Sequence, residues 1–162
     1  MNPKIYVETS IISYLAARPS RDVVALAKQQ ITIEWWNNFR NHFDLYISQL
    51  VIEEAERGDK DAADKRLEIA EELQITDISE NALELAKIIM QKANMPKKAE
   101  NDVLHIAIAA TQKMDYLLTW NNKHIANAMI QKILREIVSE CGYDLPVICT
   151  PNELTGDIYD TP

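Results

Sequence analysis

Glycine, cysteine and long apolar runs are all scarce in this sequence, and each scarcity removes a class of protein. Three glycines in 162 residues leave no glycine-rich loop through which backbone N–H groups could reach a nucleotide's phosphates, which excludes a Rossmann-type dinucleotide site. The two cysteines, Cys141 and Cys149, are too few for a disulfide framework and lack partners at zinc-finger spacing. They read as reduced structural thiols, and no zinc site is expected. No apolar run reaches the roughly 20 residues that cross a bilayer. The opening Met1-Asn2-Pro3-Lys4 passes straight into a strand-like segment with no signal-peptide core. The expectation is a cytoplasmic protein without a membrane partner.

Positive charge is also short. Lys and Arg number 17 against 25 Asp and Glu, a net charge of -8, which argues against non-specific binding of nucleic acid by a basic surface. Part of the acidic excess is expected if several carboxylates converge on metal ions, whose charge reverses the local field. What is plentiful is apolar: 47% of residues are hydrophobic, enough to fill one core in a chain of one-domain length.

Strand-like and helix-like segments alternate along the chain. Lys4 to Glu8 is β-branched or aromatic in its middle and meets Thr9-Ser10, which opens a helix through Ile11, Ile12, Tyr14 and Leu15. From Pro19-Ser20 a longer helix is expected to about Phe43, with Val24, Ala27, Ile31, Trp35, Phe39 and Phe43 as its buried stripe. Trp35 and Trp36 are adjacent, so one of them faces away from the core and marks a partner surface. Asp44 to Ser48 reads as a second strand leading into a helix with Val51, Ile52, Glu54 and Ala55. A charged helix over 61–72, a short strand over 73–76 and a helix from Ser79 to about Asn94 follow. Asn101 to Ala110 is apolar almost all round, hence a central buried helix with Asp102 in its first turn. Asp115 to Thr119 is a fourth strand, Asn122 to about Glu140 a helix, and Pro146 to Cys149 a fifth strand. This alternation implies an α/β fold with a mainly parallel, about five-stranded sheet covered on both faces, its ligand site beyond the carboxyl ends of the strands. The folded unit is expected over 1–154, with 155–162 a solvated acidic tail.

Three carboxylates stand at the starts or ends of elements: Glu8, Glu54 and Asp102. Taken singly, each is weak evidence, and Glu54 and Asp102 read more readily as solvated helix charges or as favourable charges near a helix N-terminus. The segments that carry them are Tyr6-Val7-Glu8-Thr9-Ser10, Ser48 to Glu54, Asp102-Val103-Leu104-His105-Ile106-Ala107, and Asp115 to Asn121. In order and spacing, the four resemble the signatures of PIN-domain nucleases, and the pattern of Tyr116 to Ile125 resembles bacterial VapC-type toxins. The resemblance covers about residues 4–153.

That resemblance implies a PIN-like three-layer α/β/α fold and a divalent-metal-dependent endoribonuclease, hydrolysing phosphodiester bonds with metal-activated water. It implies catalytic positions at Glu8, Glu54, Asp102 and Asn121, with Glu8, Glu54 and Asp102 as ligands of Mg²⁺ or Mn²⁺, a cation class that hard oxygen ligands select. It implies a homodimer, an RNA substrate and an antitoxin protein as partner, the chain being the toxin of a toxin–antitoxin pair. Two positions depart from the family pattern. Glu8 stands where Asp is usual, and Asn121 where Asp is frequent, which removes one negative charge and weakens cation binding.

Thr9 and Ser10 have two readings, contact with phosphate or ligated water and simple helix capping. Lys97, Lys98 and Lys123 are the candidate RNA-binding residues, within a basic rim that also includes Arg18, Arg21 and His124. His105 reads as a satisfied, partly buried histidine. An aspartyl-nucleophile phosphatase is disfavoured because it needs Asp where Glu8 stands. The open alternative is a catalytically weakened PIN-like domain that acts as a protein- or RNA-binding module.

Overall fold

A computed structural model of the chain describes residues 1–155; the expected acidic tail lies, beyond Thr155, outside the described residues. Five short strands form one sheet: β1 (Lys4–Val7), β2 (Asp44–Ile47), β3 (Gln74–Ile75), β4 (Tyr116–Leu118) and β5 (Val147–Cys149). Their order across the sheet is β3-β2-β1-β4-β5, and every pair is parallel. β1 is central, so Ile5, Tyr6 and Val7 are all completely buried. A parallel sheet covered on both faces demands apolar or fully satisfied side chains on each.

Among the described residues, seven α-helices cover the sheet. Among them α1 (Thr9–Ala16), α2 (Val23–Asn38), α3 (Gln49–Ala55) and α4 (Lys60–Ala70) pack together, and α5 (Glu80–Lys92) packs on both α6 (Glu100–Thr111) and α7 (Ala128–Glu140). The expected three layers are present. α6 buries every residue from His105 to Ala110, which accounts for its all-round apolar sequence. The chain leaves β1 toward β2 on one side, while β4 lies on the other, so the topological switch falls between the carboxyl ends of β1 and β4.

Two expectations are corrected. The long helix begins at Val23, because the Asp22 side chain accepts the Ala25 N–H and caps it there, and it ends at Asn38. A 3₁₀ turn over Arg40–His42 then reverses the chain. Phe43 thereby returns to stack on Trp35, their rings 6.0 Å apart. The buried face of α2 is Gln29, Thr32 and Trp35, while Val24 is largely exposed. Polar residues hold that face because each is bonded. Gln29 accepts from Ser20 N–H and donates to Arg18 C=O, and Thr32 Oγ1 accepts from the Trp120 indole at 2.8 Å. Trp36, the outward member of the tryptophan pair, is half-buried beneath the Arg40 guanidinium at 4.3 Å. The second correction concerns the last helix, which starts at Ala128, where Asn127 accepts the N–H groups of Met129 and Ile130. Residues 121–127 form turns instead.

Cys149 is buried in β5, and burial, followed by the charge of Glu153, pushes its thiol up to about 12. Only a thiolate attacks an alkylating reagent. At mildly alkaline pH the native protein is therefore expected to react at the half-buried Cys141 alone, with Cys149 labelled only after denaturation. Mass mapping of the labelled peptides checks this, and equal labelling of both in the native state would contradict it.

Candidate functional site

The end of β1 delivers Glu8 to the N-cap position of α1, where its backbone is extended (φ -79, ψ 155). Its carboxylate is nearly buried and tightly held. Oε2 accepts the Ser10 N–H at 3.1 Å, and Oε1 accepts the hydroxyls of Ser10, at 2.6 Å, and Thr119. Those hydroxyls in turn accept backbone N–H groups beyond β4, Ser10 from Trp120 and Thr119 from Asn121, both at 2.9 Å. Glu8 thus ties the carboxyl ends of the two central strands together. Ser10 serves the carboxylate, and so does Thr9, whose hydroxyl donates to Glu54 Oε1 at 2.6 Å.

Glu54 stands near the end of α3, its side chain 18% exposed. The same Oε1 meets His105 Nε2 at 2.6 Å. Burial pushes the Glu54 carboxyl upward, but the His105 hydrogen bond and charge, then Thr9 and Arg57, outweigh it, and the net shift is downward. Glu54 Oε2 has no hydrogen bond among the described residues. His105 is completely buried rather than partly so, and its other nitrogen, Nδ1, lies 2.7 Å from the Tyr6 hydroxyl. Burial first, with Glu8 and Glu54 adding to it, drives the Tyr6 phenol far above its ordinary range.

Asp102 occupies the first turn of α6, three residues before His105 and hence on the same helix face. Its Oδ2 bonds His124 Nδ1 at 2.8 Å. Asn121 Oδ1 accepts the N–H groups of Lys123 and His124, at 3.2 and 3.1 Å, and so shapes the loop that brings His124 to Asp102. Lys97, Lys98 and Lys123 are exposed. Lys98 lies beside Lys123 and lowers its ammonium pKa through hydrogen bonding and like charge. Two neighbouring ammoniums repel, and an anion placed between them relieves the repulsion.

Of the residues singled out from sequence, Glu8 and Glu54 converge. One oxygen of each and one His105 ring nitrogen all lie within 4.8 Å of one another. Asp102, one helical turn before His105, is not one of that group and meets His124 instead, and the Asn121 side chain bonds only backbone N–H groups of its own loop. Thr119, Tyr6 and Ser48 lie within the signature segments but are assigned no site role from sequence, although Thr119, a hydroxyl directly after a buried strand, carries a signal. The donor set suits a hard divalent cation: carboxylate oxygens predominate, and the acids form no ion pair with Lys or Arg among the described residues, only with histidines. Glu54 Oε2 and Asp102 Oδ1 are left without hydrogen bonds there. Carboxylates gathered this way need a counter-charge.

Comparison with known proteins gives three findings. The family model described as PIN domain matches residues 5–128. No curated protein sequence matches significantly. Solved structures match over 76–91% of this chain at low identity. VapBC2 from Rickettsia felis, solved bound to a DNA fragment of its promoter, has a TM-score of 0.58 at 15% identity over 91% of this chain and 98% of that one. Mycobacterium tuberculosis VapC20, described as a toxin cleaving the sarcin-ricin loop, has a TM-score of 0.58 at 14% identity over 86% and 95%. A toxin–antitoxin complex from Klebsiella pneumoniae has a TM-score of 0.53 at 19% identity over 76% and 92%.

Proposed function

The chain belongs to the PIN-domain family, and on that footing we propose that it is a divalent-metal-dependent endoribonuclease and the toxin of a toxin–antitoxin pair. The observation that carries the reading is the convergence of the Glu8 and Glu54 carboxylates at the topological switch point, unpaired with Lys or Arg among the described residues. Asp102 adds a third acid from the first turn of α6.

Glu8, Glu54 and Asp102 would hold Mg²⁺ or Mn²⁺, and a cation bound there supplies charge stabilisation at the phosphoryl oxygens and acidifies water. The protein's own groups do the positioning. Ser10 and Thr119 fix Glu8, Thr9 and His105 fix Glu54, and His124 fixes Asp102. Lys98 and Lys123, with Lys97 nearby, hold the phosphates flanking the scissile bond, which answers the acidic net charge with a local basic rim. Asn121 acts through the loop it shapes.

Residues 1–154 make up the nuclease unit, acting in the cytoplasm as a homodimer with an antitoxin partner. The toxin–antitoxin complexes among the structural neighbours support that partner. No helix among the described residues is long and apolar enough to cross a membrane. The test is cleavage of single-stranded RNA by the purified protein with Mg²⁺, with Mn²⁺ and with chelator. Cleavage only in the presence of cation is expected; none under any condition would favour a binding module instead.

A further inference from the structure

A hydrogen-bonded chain runs from the core to the acidic group, and its atoms permit one directional assignment at the carboxylate end. Ser48 Oγ lies 2.7 Å from the Tyr6 hydroxyl, that hydroxyl lies 2.7 Å from His105 Nδ1, and His105 Nε2 lies 2.6 Å from Glu54 Oε1. Ser48, Tyr6 and His105 are all completely buried. A carboxylate only accepts, so Nε2 carries the proton. In a neutral ring Nδ1 is then an acceptor, the Tyr6 hydroxyl donates to it, and Ser48 donates to the Tyr6 oxygen. In a charged ring Nδ1–H donates to Tyr6 and Tyr6 to Ser48. Nε2 bears hydrogen in both cases.

This bears on what His105 contributes. A ring nitrogen of His105 lies within 4.8 Å of oxygens of both Glu8 and Glu54, and Nε2, the nitrogen that meets Glu54, is by distance alone the candidate nitrogen ligand. A protonated Nε2 has no lone pair to give, so it cannot ligate while it holds Glu54. Thr9 donates to the same Oε1. The two donors pin one carboxylate oxygen and leave Oε2 without a hydrogen bond among the described residues.

We infer that His105 is a positioning residue, not a ligand: held by Tyr6 and Ser48, it fixes Glu54 Oε1 so that Oε2 faces the cation. The inference rests on the cation reading above and names the groups that set the geometry of one ligand. Ser48 stands at the N-cap position of α3 yet makes no side-chain capping bond there. Its hydroxyl serves the chain to His105 instead. Outer partners of this kind typically change metal affinity by about 10- to 100-fold when removed.

The experiment uses the full chain with ¹⁵N-labelled histidine. Two-bond proton–nitrogen correlations are expected to show His105 protonated at Nε2 without metal and equally so at saturating Mg²⁺. An unprotonated Nε2 in either state would overturn the inference. Calorimetry with Mg²⁺ then compares wild type, Tyr6→Phe, His105→Gln and His105→Leu. His105→Gln, whose amide places a donor near the position of Nε2, is expected to keep most of the affinity. His105→Leu is expected to lose roughly 10- to 100-fold, and Tyr6→Phe, which removes one hydroxyl at constant shape, an intermediate amount. The loss should fall on cation affinity and kcat, with KM for RNA little changed. Wild-type affinity in both His105→Leu and Tyr6→Phe would overturn the positioning role alone. A flat titration of the wild type would instead overturn the cation reading and this inference with it.

Discussion

Asp102→Asn is expected to lower kcat/KM for RNA cleavage by roughly 10²–10³-fold, a transition-state loss of about 2.7–4 kcal/mol, the range seen when one preorganised electrostatic group is removed. The substitution keeps the shape of the side chain, and the amide oxygen still accepts from His124 Nδ1, the contact that Asp102 Oδ2 makes now. Side-chain exposure of 19% leaves room for the amide nitrogen to meet water. Thermal stability without metal should therefore change by less than about 1 kcal/mol, since nothing large is buried or unsatisfied. Steady-state cleavage paired with a circular-dichroism melt separates the two effects. Full activity in a contaminant-free preparation would remove Asp102 from the site.

Glu8→Gln is expected to separate stability from function. Two carboxylates with oxygens within 4.8 Å of each other repel, when both are ionised, by about 3 kcal/mol at an effective dielectric constant near 20. Neutralising Glu8 removes that repulsion. The amide oxygen can still accept the Ser10 N–H, but the Ser10 and Thr119 hydroxyls, which already accept the Trp120 and Asn121 N–H groups, lose the acceptor of their own hydrogens, which offsets the gain. The metal-free variant should melt within a few degrees of the wild type. Added Mn²⁺ at about 100 times its dissociation constant stabilises a protein that binds it by about 2.7 kcal/mol. The wild type should therefore show a clear rise in Tm and Glu8→Gln almost none, together with loss of cleavage. A variant that melts lower without metal yet rises as much with it would mean that Glu8 acts only as the cap of α1.

Much of the architecture was legible because local and global signals agree. β1, β2 and β4 are short apolar runs ended by polar residues, and α6 is apolar on every side because α5 and the sheet pack against it. Alternating these elements leaves few arrangements other than a parallel sheet between helical layers. The failures lie where tertiary hydrogen bonds override propensity. Gln29 and Thr32 occupy the buried face of α2 because Ser20, Arg18 and Trp120 satisfy them, and no periodicity of apolar residues announces that. The segment 122–127 reads as helix until Asn121 and Asn127 are seen to spend their side chains on backbone N–H groups.

At the site, the acids were legible as positions but not as a geometry. Glu8 follows a strand and Glu54 lies one helical segment past another, so their convergence is a property of the parallel pairing of β1 with β2. The partners that hold them are distant in sequence: Thr119 is 111 residues from Glu8, and His105 is 99 from Tyr6. A single sequence carries no sign of which hydroxyl meets which carboxylate.

Anomalous diffraction from crystals soaked in Mn²⁺ tests the central claim most directly, because the cation's position is read without reference to activity. A single strong peak bounded by the Glu8, Glu54 and Asp102 carboxylates, with His105 outside its coordination shell, is the expected result. A peak elsewhere on the protein, or none at saturating Mn²⁺, would contradict the account.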